Sequence, residues 1–175
     1  MRLFVGVEVD PIVKRYIYEI AQNIRYRSGN IRASWVNEDN YHITLQFIGE
    51  VPDESISFID DKLSQIKFKP FSLTLDSLGV FGYPPKVLWI GIKPNHQLDT
   101  LASYVNDLLK GDIKRFHPHI TLARIKSRVN SSFFDVVENF AVRPIDWEVN
   151  RFVLFQSKLT PRGSIYTPIK IYPSI

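Results

Sequence analysis

The chain has no cysteine. That excludes a disulfide framework, a thiolate metal site and a cysteine nucleophile, and it fits a reducing compartment. Long hydrophobic runs are missing too. Stretches such as Val87-Leu88-Trp89-Ile90-Gly91-Ile92 are far too short to cross a bilayer. The apolar start is cut by Glu8 and Asp10 and lacks the features of a signal peptide. There is no Gly-rich phosphate loop and no dinucleotide-binding fingerprint. Excess charge is small, with 22 Lys and Arg against 18 Asp and Glu. Hydrophobic residues make up 45% of the chain, an ordinary globular share that argues against disorder. The expectation is a soluble, cytoplasmic protein folding as one domain over residues 1–175.

Histidine is scarce, with 4 copies, yet two of them stand in identical words. These are His42-Ile43-Thr44-Leu45 and His119-Ile120-Thr121-Leu122. In an extended strand, residues two apart share a face. Each word therefore sets an imidazole and a hydroxyl on one side, with Ile and Leu on the other. Two such strands supply two acid–base groups and two hydroxyls that can converge on one anion. From Ile113 to Phe134 there is no acidic residue, while Lys114, Arg115, Arg124, Lys126 and Arg128 surround the second word. A basic collar beside two imidazoles suits a phosphate-bearing partner.

Other residues near the words are less clear-cut. His117 shares the expected face of His119 and could touch substrate, orient a partner, or do nothing. Arg124 is displaced by strict alternation, which turns it away from His119 unless the strand twists or bulges. His96 opens a helix and reads as surface. Tyr41, Phe81, Tyr83 and Tyr166 are aromatic candidates for stacking on a flat ring of such a phosphate-bearing partner. A zinc site built from His42, His117 and His119 is an alternative. Against it, neither word contains an Asp or Glu to orient an imidazole, and Thr is a poor zinc ligand.

Periodicity predicts the order β-α-β-β-α-β-β-α-β-α-β-β. Strands are expected over 2–9, 33–36, 41–49, 71–81, 87–92, 117–124, 147–156 and 165–171. Helices are expected over 11–27, 53–67, 96–109 and 131–140. Asp10-Pro11 starts the first helix, and Ser28-Gly29-Asn30 stops it. Leu159 to Ser164 reads as a loop. Each word follows a helix and a loop and precedes another helix, so the chain looks like an internal duplication with a histidine strand in each half. No low-complexity linker divides the halves.

At this point the residues resemble a known family, the two-histidine phosphoesterases, which carry paired His-x-Thr-x motifs. Ser34-Trp35-Val36, Tyr41 to Gly49, and Phe116 to Arg124 are similar to its branch called RNA 2′,3′-cyclic phosphodiesterase, or 2′-5′ RNA ligase. Met1 to Val7 and Phe155 to Leu159 fit as well. The resemblance implies an α+β fold, duplicated and bilobal, with two antiparallel-sheet lobes and outer helices around a central cleft. It implies metal-independent and cofactor-free hydrolysis of an RNA 2′,3′-cyclic phosphate end to a 2′-phosphate, with 2′-5′ ligation as the reverse type of reaction. His42 would be the proton donor and His119 the proton acceptor. Thr44 and Thr121 would assist them, and Arg124 and His117 would bind substrate. The partner would be an RNA end, not a membrane, and the protein a monomer. A non-catalytic RNA-end binding module is the alternative from another class.

Overall fold

The computed structural model describes residues 1–29 and 31–175. Asn30, the last residue of the expected helix stop, lies outside the described residues. Nine strands are found among them: β1 (Arg2–Glu8), β2 (Ala33–Trp35), β3 (His42–Glu50), β4 (Phe71–Phe81), β5 (Val87–Ile92), β6 (His119–Ile125), β7 (Asp146–Val149), β8 (Arg151–Thr160) and β9 (Gly163–Pro173). The helices are α1 (Pro11–Arg27), α2 (Ile56–Leu63), α3 (His96–Leu109) and α4 (Ser131–Asn139).

The helix starts follow local chemistry. Asp10 accepts from the Ile12 N–H at 2.8 Å, and Pro11 occupies the first turn, where its missing N–H costs nothing. Asn95 and Asn130 cap α3 and α4 in the same way, accepting from the N–H groups of Leu98 and Phe133. Val13, Ile17, Ile20 and Ile24 form the buried stripe of α1.

Two antiparallel sheets run in the orders β3-β1-β8-β9 and β2-β6-β5-β4-β7. The motif strand stands at the edge of the first sheet and one place in from the edge of the second. The sequence halves trade strands. β2, from the first half, pairs with β6, and β8 and β9, from the second, pair with β1 and with each other. One hydrophobic cluster, from Leu3 and Ile43 through Leu88 and Ile120, runs through both lobes. The architecture is therefore α+β and bilobal.

Several boundaries differ from expectation. The strand expected over 147–156 is two strands parted at Asn150, with β7 on β4 and β8 on β1. A strand-like pattern along one segment cannot reveal that its two ends belong to different sheets. The expected loop from Leu159 to Ser164 is mostly ladder, closing a tight hairpin with Thr160 opposite Gly163. α2 ends at Leu63 because Gln65 and Ile66 close it with tighter bonds to Lys62 and Leu63. Ile66 therefore falls outside the helix that was to bury it. β1 does not alternate, since Leu3 to Val7 are all buried. Leu3, Val5 and Val7 enter the main core from one face, and Phe4 packs with Val153 and Phe155 on the other, so both its faces are covered.

Candidate active site

His42 opens β3 and His119 opens β6, and each follows a short 3₁₀ turn, Glu38–Asn40 or Ile113–Arg115. Each ring bonds to the carbonyl two residues before it. His42 Nδ1–H donates to the Asn40 carbonyl at 2.7 Å. His119 Nδ1–H donates in the same way to the His117 carbonyl. A carbonyl can only accept, so the neutral rings share one tautomer with the lone pair on Nε2. At His42 that nitrogen accepts from the Thr44 hydroxyl at 2.9 Å.

The repetition extends to a strand irregularity. In β3, Val5 faces Gln46 and Gly6 faces Thr44, so Leu45 is the extra residue of a bulge. In β6, Leu88 faces Ala123 and Trp89 faces Thr121, so Leu122 is extra. Both words thus bulge at their leucine. A bulge resets the alternation of faces. Leu122 and Ala123 are both buried, and Arg124 returns to the side of His119 and Thr121. The parity problem posed by strict alternation disappears. Phe47 occupies the equivalent place in β3, and it is 54% exposed.

The two motif strands contact each other. His42, Thr44, His117, His119, Thr121 and Arg124 all line one cleft of about 800 Å³. His117 precedes β6 rather than lying in it, because Pro118 has no N–H for the ladder. Its carbonyl orients His119, while its ring packs between Phe81 and Trp89, with centroids 5.1 Å from each. Phe47, Phe4, Gln46 and Ser157 also line the cleft and were missed as candidates. Equivalence between the two words points to Phe47, but only once the bulge is known.

The aromatic candidates now separate. Tyr41 is 2% exposed and has no surface free to stack. Tyr83 is fully exposed and lies outside the cleft lining. Phe81 stands edge-on to His119 at 4.9 Å. Tyr166 stands edge-on to His42 at 5.2 Å and lines the cleft. His96 is exposed, as expected of a surface residue.

Burial pushes the His42 ring down to about 4, against the pull of the Asn40 carbonyl. The charges of His119, Lys14 and Arg124 lower it further. Burial also lowers His119, opposed by the His117 carbonyl and reinforced by the charges of His117 and Arg124. The Arg124 guanidinium therefore bears on both imidazoles at once. Both rings rest neutral near pH 7, and a bound anion would raise both. Among the described residues, no group of three or more His, Cys, Asp or Glu is placed to hold a metal ion, the three-histidine zinc set included. No helix there is long and apolar enough to cross a membrane.

Two facing sheets, each aiming a His-x-Thr strand at a shared cleft, define the class of two-histidine phosphoesterases. The family model described as LigT like Phosphoesterase matches residues 7–89 and again 90–166, one copy for each motif. The chain belongs to that family. It is 37% identical to the RNA 2′,3′-cyclic phosphodiesterase of Archaeoglobus fulgidus, over 98% of this chain and 99% of the relative. It is 33% identical to the protein of the same name from Thermotoga maritima, over 95% of this chain and 91% of that one. The apo crystal structure of Escherichia coli LigT superimposes with a TM-score of 0.79 at 27% identity, covering 99% of this chain and 96% of that one. The same protein complexed with 3′-AMP gives 0.78 at 26% identity, covering 99% and 97%.

Proposed function

We propose that this protein hydrolyses RNA 2′,3′-cyclic phosphate ends to 2′-phosphates, as a single domain acting as a monomer. One observation carries the reading: two imidazoles of the same tautomer line one cleft, and a single arginine charge bears on both. The relatives named RNA 2′,3′-cyclic phosphodiesterase support the substrate class.

The ring-opening needs two proton movements on opposite sides of phosphorus. A water enters in line with the leaving 3′ oxygen. His119 Nε2 takes a proton from that water as the new P–O bond forms. His42, carrying a proton on Nε2, gives it to the 3′ oxygen as the old bond breaks. The products are a 2′-phosphate and a free 3′ hydroxyl, and each imidazole ends in the protonation state its partner began with. His42 is neutral at rest, so it gains its proton when the anionic phosphodiester arrives. Thr44 then turns its hydroxyl from Nε2 to a phosphate oxygen, and Thr121 and Arg124 meet the charge that builds on the others. The 2′-5′ joining of RNA ends uses the same two nitrogens in the opposite sense.

Arg124 and Phe47 hold equivalent places just past the two words, so one wall offers the substrate a cation and the other an aromatic face. Phe47 is therefore the stacking surface for the terminal base. The test is an oligonucleotide ending in a 2′,3′-cyclic phosphate, incubated with enzyme in EDTA. A 2′-phosphate product is expected at an undiminished rate. A 3′-phosphate product, or activity that needs added zinc, would overturn the assignment. Binding without turnover would make the protein an RNA-end binding module.

A further inference from the structure

We infer that the loop between α3 and β6 is a second anion site, in which Lys110 and Arg115 take the phosphodiester one nucleotide upstream of the reacting end. This rests on the function proposed above and goes past it, since it makes an RNA chain, rather than a free cyclic nucleotide, the preferred substrate.

The strongest sign is a backbone conformation. Lys110 ends α3 with φ 57° and ψ 39°, and among the described residues it is the one non-glycine with positive φ. Left-handed helix ends favour glycine, because a side chain there is strained. The glycine stands one residue later and serves another purpose. A Cβ on Gly111 would lie 2.3 Å from Asn106 Oδ1 and 2.6 Å from the Gln46 amide, so only glycine lets the loop press against β3. Asn106 fixes the same contact, its amide donating to the Leu45 carbonyl at 3.1 Å and the Ala102 carbonyl at 2.7 Å. The loop is thus clamped to the motif strand, and the residue in the strained position is a lysine lining the cleft. A role for the side chain in the cleft would account for strain held at this wall.

The second cation is Arg115, which lines the same cleft. Its anionic partner is Asp112, at 3.6 Å in an exposed pair. Such a pair contributes little and exchanges readily for a phosphate. The other Asp112 oxygen accepts from the Lys114 N–H at 3.0 Å, which keeps that carboxylate folded into the loop. Neither Lys110 nor Arg115 has a part in the two proton transfers. Both line the same cleft as the residues of the two words. A cyclic mononucleotide has one phosphate, and the residues of the two words account for it. An RNA end has a second, one residue upstream, and the loop between α3 and β6 offers it two cations.

The test compares a cyclic mononucleotide with a dinucleotide carrying the same cyclic end. The wild-type ratio of their kcat/KM values should favour the dinucleotide by roughly tenfold or more, expressed in KM, as binding shared by ground and transition states requires. The dinucleotide should also show a steeper salt dependence, by about 0.7 in the logarithmic slope for one added single-strand phosphate contact. Lys110→Gly relaxes the strained turn while removing the cation, so the variant should be at least as heat-stable as wild type. Combined with Arg115→Gln, it should bring the kcat/KM ratio close to one and abolish the extra salt slope. Lys110→Arg should restore part of both. If the wild-type ratio is already near one, or the double variant keeps the wild-type ratio, the second site is wrong while the proposed hydrolysis stands. If neither substrate turns over, the proposed hydrolysis itself has failed.

Discussion

The two motif strands carry the same four residues, the same imidazole tautomer and the same leucine bulge, yet they lie in different surroundings. His42 sits against Phe4 at 4.8 Å, with Phe155 and Tyr166 beside it, and its Nε2 is held by Thr44. His119 packs against Phe81, Trp89 and His117. Opposite Thr44 stands Gly6, where an added Cβ would lie 3.1 Å from the Ile43 carbonyl. Opposite Thr121 stands Trp89, whose ring covers Gly79 so closely that a Cβ there would fall 2.3 Å from it. Where one word leads to Phe47, the other leads to Arg124. A duplicated frame thus gives matched acid–base groups, while the residues packed around them make the two halves unequal. That inequality suits a substrate with a ribose leaving group on one side of phosphorus and water on the other.

The largest effect should come from breaking the matched part. His42→Ala and His119→Ala are each expected to lower kcat by about 10²–10⁴-fold while leaving the fold intact. The double variant should be little worse than either single one, because residues acting as a unit are not additive. A loss confined to one of them, measured by steady-state kinetics beside a circular dichroism melt, would show that the halves do not work as a pair.

Next in size is the unlike pair. Arg124→Gln should lower kcat/KM by about 10²-fold, since it removes a donor from the charge developing on phosphate. Phe47→Ala should act chiefly on KM, by about tenfold, from loss of base stacking worth about 1–3 kcal/mol. The same loss in kcat for both variants would erase the distinction between the two walls.

A smaller effect sharpens the comparison through pH. The folded His42 ring titrates near 4, below its ordinary 6.5, so its neutral form belongs to the native state. That contribution is complete above pH 6.5 and is lost as pH falls through about 4, when the unfolded chain takes up the proton first. His119 acts with the same sign. Stability should therefore fall by up to about 3 kcal/mol across that window on account of His42. His42→Gln should flatten the decline. Denaturant melts from pH 7 to pH 4 check this, and an unchanged slope in the variant would contradict the burial of that ring.

What the sequence could show depended on how local each feature is. Helix starts were legible because Asp10, Asn95 and Asn130 act on N–H groups two or three residues away. The repeated word was legible because strand geometry alone sets His and Thr on one face. The bulges were not, because the extra residue is defined by the strand opposite, and so the facing of Arg124 stayed open and Phe47 went unnoticed. The exchange of β2, β8 and β9 between sheets was hidden for the same reason. Tyr41 looked available beside the first word, but it is covered by packing that no periodicity reveals.

The pairing itself is tested most directly by nitrogen-15 NMR of the histidine rings, titrated with and without inorganic phosphate. Paired function requires that the rings of residues 42 and 119 both carry their neutral-form proton on Nδ1. It also requires that both titrate below 6.5 in the free protein and that both shift upward when phosphate binds. A phosphate response at one ring with none at the other would contradict a shared anion between them.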